Sequence, residues 1–85
     1  MPVTVPTSDG LNPEDIRIGA TVKALREARG FTQDQLANAA LLSRPYLANI
    51  ETGRKRPSMK AIARLAAALT VPQVALIAQP AEAVA

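Results

Sequence analysis

Apolar residues in this chain recur at helical spacing, and polar capping residues punctuate them. Ile18, Val22 and Leu25 fall at i, i+4 and i+7, which sets them on one face of a helix. Asn12-Pro13-Glu14-Asp15 precedes them as a start signal. It offers an asparagine side chain to accept orphan N–H groups, a proline whose missing donor costs nothing there, and acids at the positive end of the dipole. Gly30 supplies the stop. A second start follows at Thr32-Gln33-Asp34-Gln35, with Gln35 in the capping-box position. That helix carries Leu36, Ala37 and Ala40 and must end near Leu41, because Ser43 and Pro45 open another almost at once. Only a tight turn fits between Ala40 and Ser43.

The third helix, capped by Ser43, is expected to bury Leu47 and Ile50 and to stop at Gly53, leaving Arg44, Pro45, Tyr46, Ala48 and Asn49 on other faces. Arg54-Lys55-Arg56-Pro57 reads as a loop. Ser58 then caps a fourth helix whose Ile62, Leu65, Ala66 and Leu69 fall at i, i+3, i+4 and i+7. Val71-Pro72 breaks the chain, and a last short helix is expected at about Gln73 to Ala78. The pattern therefore predicts an all-α fold of five short helices without strands. Residues 1–11, with two prolines and no periodicity, are expected to form a disordered arm, residues 12–79 the folded domain, and residues 80–85 a flexible tail.

Composition narrows the chemistry more than the fold. A chain of 85 residues makes one domain, and such a small domain buries only about 60% of its unfolded surface. Histidine and cysteine are absent, which removes the commonest zinc ligands, the usual general base and the thiol nucleophile. The seven acidic residues are scattered among capping and surface contexts, and no glycine-rich phosphate loop is present. No enzyme activity, metal, cofactor or small-molecule substrate is expected. No apolar run approaches the ~20 residues of a membrane span, and the start of the chain lacks the basic and apolar stretches of a signal peptide. The expected address is the cytoplasm, in a bacterial or phage-encoded protein.

Charge changes the picture through its distribution. Residues 1–40 hold four basic and five acidic groups, residues 41–60 five basic and one acidic, and residues 61–85 one of each. The net values are −1, +4 and 0. Positive charge is thus concentrated around the third helix and the loop after it, the footprint expected of a partner with a phosphate backbone.

Residues 31–58 place Thr32-Gln33 at the opening of helix two, Ala37 at a helix crossing, Leu42-Ser43 at the turn, Leu47 and Ile50 as core anchors and Glu51-Thr52-Gly53 at the end of helix three. In that register the chain strongly resembles the phage-repressor and Cro-like (XRE) helix-turn-helix family, over roughly residues 15–78. The resemblance implies a lambda-repressor-like domain that inserts its third helix into the major groove of double-stranded DNA as a regulator of transcription, most simply a repressor. Independently of the family, a small alanine at position 37 allows close helix crossing. Two helices at about 90–120° leave the outer face of the second free to enter a groove ~12 Å wide.

Base reading is assigned to Arg44, Pro45 and Asn49. Arginine suits guanine O6/N7, asparagine suits adenine N6/N7, and proline can offer apolar contact to a thymine methyl. The resemblance implies phosphate contact by Gln33, which would also brace the recognition helix, and by the loop residues Arg54, Lys55 and Arg56 with Lys60 nearby. Ser43 and Tyr46 are assigned to phosphate beside them. The resemblance also implies a structural pair between Arg26 and Glu51 and a core position for Phe31. Glycine is frequent in the family where this chain has Leu41 and Thr70. Either these residues accept a positive φ, costing leucine on the order of 1 kcal/mol, or the turns relax differently. Val74, Leu76 and Ile77 point in directions that no single core covers, so a homodimer on an inverted-repeat operator is expected. The competing readings are an antitoxin of a toxin pair and a protein-binding adaptor on a helix-turn-helix scaffold. An adaptor would show an acidic or apolar recognition face, which Arg44 and Arg54-Lys55-Arg56 argue against. RNA binding ranks third, because one Tyr and one Phe make almost no stacking platform.

Overall fold

The computed structural model describes residues 11–78. These form α1 (Pro13–Ala28), α2 (Gln33–Ala40), α3 (Arg44–Glu51), α4 (Met59–Leu69) and α5 (Val74–Ile77), with no strand among the described residues. The expected arm and tail lie, Leu11 aside, outside them. No helix there is long and apolar enough to cross a membrane.

Each of the four longer helices starts on the side chain that the pattern names. Asn12 Oδ1 accepts from the Glu14 N–H at 2.7 Å, and Ser43 and Ser58 accept from Tyr46 and Ala61 at 3.2 and 3.1 Å. Thr32 and Gln35 complete a reciprocal capping box at 2.9 and 3.1 Å. These caps satisfy donors that the first helical turn leaves orphaned.

The same four helices end alike. After α1 the N–H of Phe31 returns to the Arg26 carbonyl and that of Gly30 to Glu27. Leu42 and Leu41 repeat the pair of bonds after α2, Arg54 and Gly53 after α3, and Val71 and Thr70 after α4. This Schellman arrangement requires a left-handed residue. Gly30 and Gly53 supply it at φ 78° and 83°, while Leu41 and Thr70 adopt it at 59° and 62° despite their side chains. The turn between α2 and α3 thus keeps the glycine geometry without the glycine.

Ile18, Val22, Leu36, Leu47, Ile50, Ile62, Leu65, Leu69 and Leu76 form the buried core, each no more than 4% exposed. α1 packs on α3, α2 on α3 and α4, and α5 on α1 and α4. Gly19 sits at the crossing of α1 and α3. A Cβ built there would overlap the Ile50 carbonyl and touch the Glu51 backbone, so α1 reaches α3 backbone to backbone. The four-residue α5 has no side-chain cap and is too short to persist alone. Leu76, fully buried, and Arg17, whose guanidinium donates to the carbonyls of Ala78 and Ile77 at 2.9 and 3.1 Å, hold it in place. Val74 on its outer side stays 57% exposed.

Candidate nucleic-acid interface

α3 is two-faced. Leu47, Ile50 and Glu51 are buried, whereas Pro45, Ala48, Asn49 and Thr52, at i, i+3, i+4 and i+7, form a stripe that is half-buried or exposed. Arg44 stands at the edge of that stripe nearest α2, with 62% of its side chain exposed. Of the three residues assigned to base reading, Pro45 and Asn49 share the stripe and Arg44 flanks it. Ala48 and Thr52 lie on it too and were not singled out by sequence; their i+3 and i+7 spacing from Pro45 was the available signal.

Beneath α3 lies a buried ionic network. Arg26 donates from Nε to Glu51 Oε2 at 2.7 Å and from a terminal nitrogen to Oε1 at 3.1 Å. Its other terminal nitrogen donates to the Phe31 carbonyl at 2.9 Å. The Glu51 side chain is 2% exposed and that of Arg26 11%. Hydrogen bonding to Glu51, opposed by burial and helped by the charges of Glu51 and Glu27, holds the Arg26 guanidinium above its usual range, so it is charged at every working pH. Every buried side-chain nitrogen or oxygen among the described residues has a hydrogen-bond partner, which is what lets such a network stand in a small core.

Gln33 joins this network, donating from Nε2 to Glu51 Oε1 at 3.0 Å. The residue expected at a phosphate therefore ties the start of α2 to the end of α3. Tyr46 is likewise occupied: its hydroxyl accepts from the Ser58 N–H at 3.1 Å, bracing the N-terminus of α4. Ser43 Oγ is used as the α3 cap. Each of these bonds leaves a donor proton unused, on the Gln33 amide and on the two hydroxyls, and Ser43 is exposed while Gln33 and Tyr46 are half-buried.

The basic loop divides in two. Arg54 and Lys55 are exposed, and their backbone N–H groups both return to the Asn49 carbonyl, at 2.9 and 3.2 Å; the loop is thereby hooked onto α3. Arg56 turns the other way. It meets Asp15 Oδ1 at 2.6 Å and Glu14 Oε1 at 2.9 Å across from the start of α1, and its pKa is raised by those two carboxylates, Asp15 foremost. Arg44 also has a carboxylate neighbour, Asp34 of α2, with 3.5 Å between Nε and Oδ1. The exposed cations without an ion pair among the described residues at this end are Arg54, Lys55 and Lys60.

A family model described as a helix-turn-helix domain matches residues 17–78. The chain is 42% identical over 62 residues to the immunity repressor protein of Bacillus phage phi105, across 73% of this chain and 43% of that protein. It is 40% identical over 50 residues to the ImmF control region 10 kDa protein of the same phage, across 59% of this chain and 56% of that one. It thus spans about half the length of these two relatives. Among solved structures, the restriction-modification controller protein C.AhdI from Aeromonas hydrophila superposes with a TM-score of 0.75 at 31% identity, over 76% of this chain and 98% of that one. SinR, a master regulator for biofilm formation solved in complex with DNA, gives 0.67 at 30% identity, over 69% and 95%.

Proposed function

Because the chain belongs to the helix-turn-helix domain family, we propose that it is a sequence-specific reader of double-stranded DNA that regulates transcription as a repressor. The observation that carries this reading is the two-faced α3. Its inner side is fastened by Leu47, Ile50 and the Glu51 network, so the outer stripe and Arg44 are presented on a rigid element beside exposed Arg54 and Lys55. A helix anchored in this way fits the major groove, and the loop cations fit the flanking backbone. Arg44 and Asn49 read base edges with Pro45 alongside, while Arg54, Lys55 and Lys60 neutralise phosphates. Gln33, Ser43 and Tyr46 serve first as braces, and phosphate contact by them is a second use of groups already oriented.

The functional unit is a cytoplasmic, non-enzymatic homodimer on an inverted repeat. Exposed Val74 on α5 supplies part of the contact between copies, and the two-fold axis places the reading helices ~34–36 Å apart, one turn of DNA. Selection from a random duplex pool tests the proposal in one step. Enrichment of a palindromic site is expected, with binding that falls steeply as salt rises. Failure to enrich any sequence, or binding insensitive to salt, would refute it.

A further inference from the structure

The carboxylate of Asp34 stands on the outward surface of the helix-turn-helix, 71% exposed, where a negative charge repels the phosphates that the surrounding cations attract. It is in the first turn of α2, where an acid suits the helix dipole, but the dipole does not require it to face Arg44. The ion pair between them joins the α2 start to the first residue of α3. The nearest approach between the two side chains is 3.5 Å, from Nε to Oδ1, a charge contact rather than a hydrogen bond, and neither terminal nitrogen of Arg44 makes a hydrogen bond among the described residues. Those terminal nitrogens are the donors that a bidentate contact to guanine O6 and N7 uses.

From this geometry we propose that Asp34 is a positioning residue that sets sequence specificity, by holding Arg44 with its terminal nitrogens toward a base edge. This rests on the reading in which Arg44 contacts a base. The pair works in two ways. On the preferred site, Asp34 restricts a flexible side chain to the orientation that guanine needs, so less rotamer freedom is lost on binding. On any other sequence, an arginine that swings away to a phosphate leaves the Asp34 carboxylate uncompensated beside the DNA polyanion. Asp34 thus supports the right complex and weakens the wrong one.

The test compares Asp34→Ala, Asp34→Asn, Arg44→Ala and the double variant Asp34→Ala/Arg44→Ala on the selected operator, on operators with single base-pair changes, and on random duplex. Both Asp34 variants lose the repulsive charge, so both should bind random duplex more tightly. Asp34→Asn keeps an oxygen beside Nε but not the charge, and should retain part of the discrimination at the Arg44 base pair. Asp34→Ala should lose about two- to five-fold of it, the scale of an exposed ion pair. In the Arg44→Ala background the Asp34 change should leave discrimination unaltered. Equal discrimination in Asp34→Ala and Asp34→Asn would overturn the positioning role and leave Asp34 a simple charge. An Arg44→Ala variant that keeps full discrimination would overturn the reading of Arg44 itself, and the two failures are thereby told apart.

Discussion

Gly19 of α1 and the Ile50 carbonyl of α3 occupy adjoining space so closely that a single methyl group cannot be fitted between them. The crossing they make is what seats α3 on the long first helix. In an ordinary exposed helix, Gly→Ala gains about 1 kcal/mol from propensity. Here the neighbour is backbone and cannot rotate away, so Gly19→Ala is expected to destabilise the fold by about 1–3 kcal/mol or more, as overpacking does. Thermal or urea unfolding of the variant measures it, and a rise in stability would contradict the close crossing.

Arg26 and Glu51 are expected to behave as one unit. Removing either leaves a buried charge without its partner and should cost about 3–5 kcal/mol. The double replacement should cost clearly less than the two single losses together, and unfolding of all three variants measures that coupling. Because the Arg26 pKa is raised in the folded state, its contribution is fully present below the unfolded arginine range and is lost only as pH climbs through the higher folded value. Raising the pH to mildly alkaline conditions should therefore not weaken this pair.

Leu41 and Thr70 spend their stability on left-handed backbone that glycine adopts freely. Leu41 is 72% exposed and Thr70 is also exposed, so little packing is lost on replacement. Leu41→Gly and Thr70→Gly are each expected to stabilise by up to about 1 kcal/mol, the relief of strain outweighing the extra freedom of glycine in the unfolded chain. Melting temperatures of the two variants and their combination check this. A fall in both would show that the turns do not need the left-handed residue.

Three cations near α3 should differ in kind when each is replaced by alanine. Arg44→Ala should cost about 1–3 kcal/mol on the preferred operator and relax selection at one base pair. Lys55→Ala should weaken preferred and random duplex alike and flatten the salt slope by about one. Arg56→Ala should flatten it less than Lys55→Ala, because Asp15 and Glu14 already hold the arginine and its release exposes two carboxylates. Salt titrations on both kinds of duplex separate the three. Equal ratios of specific to random loss for Arg44→Ala and Lys55→Ala would remove Arg44 from the reading face.

The helices, their starts and their stops were legible in the sequence because the interactions that set them act over three to five residues. Asn12, Thr32, Ser43 and Ser58 each cap the helix that follows them, and the apolar residues at helical spacing in α3 and α4 line the core. The family resemblance carried the Arg26–Glu51 pair across 25 positions, a link that periodicity alone does not give. What only the tertiary structure decided was the use of each polar side chain once distant helices met. Gln33, for which the resemblance implied a brace on α3 as well as a phosphate contact, found Glu51 as the partner of that brace 18 residues away, and Tyr46 found Ser58 12 residues away. Arg56 found Asp15 at a separation of 41, and Arg17 the end of α5 at 60 and 61. Gly19 carried a local signal, a glycine amid helix formers, but its meaning depended on which backbone would cross it. Long side chains with several donors have many possible partners within reach, and sequence spacing along one helix cannot choose among groups that only packing brings near.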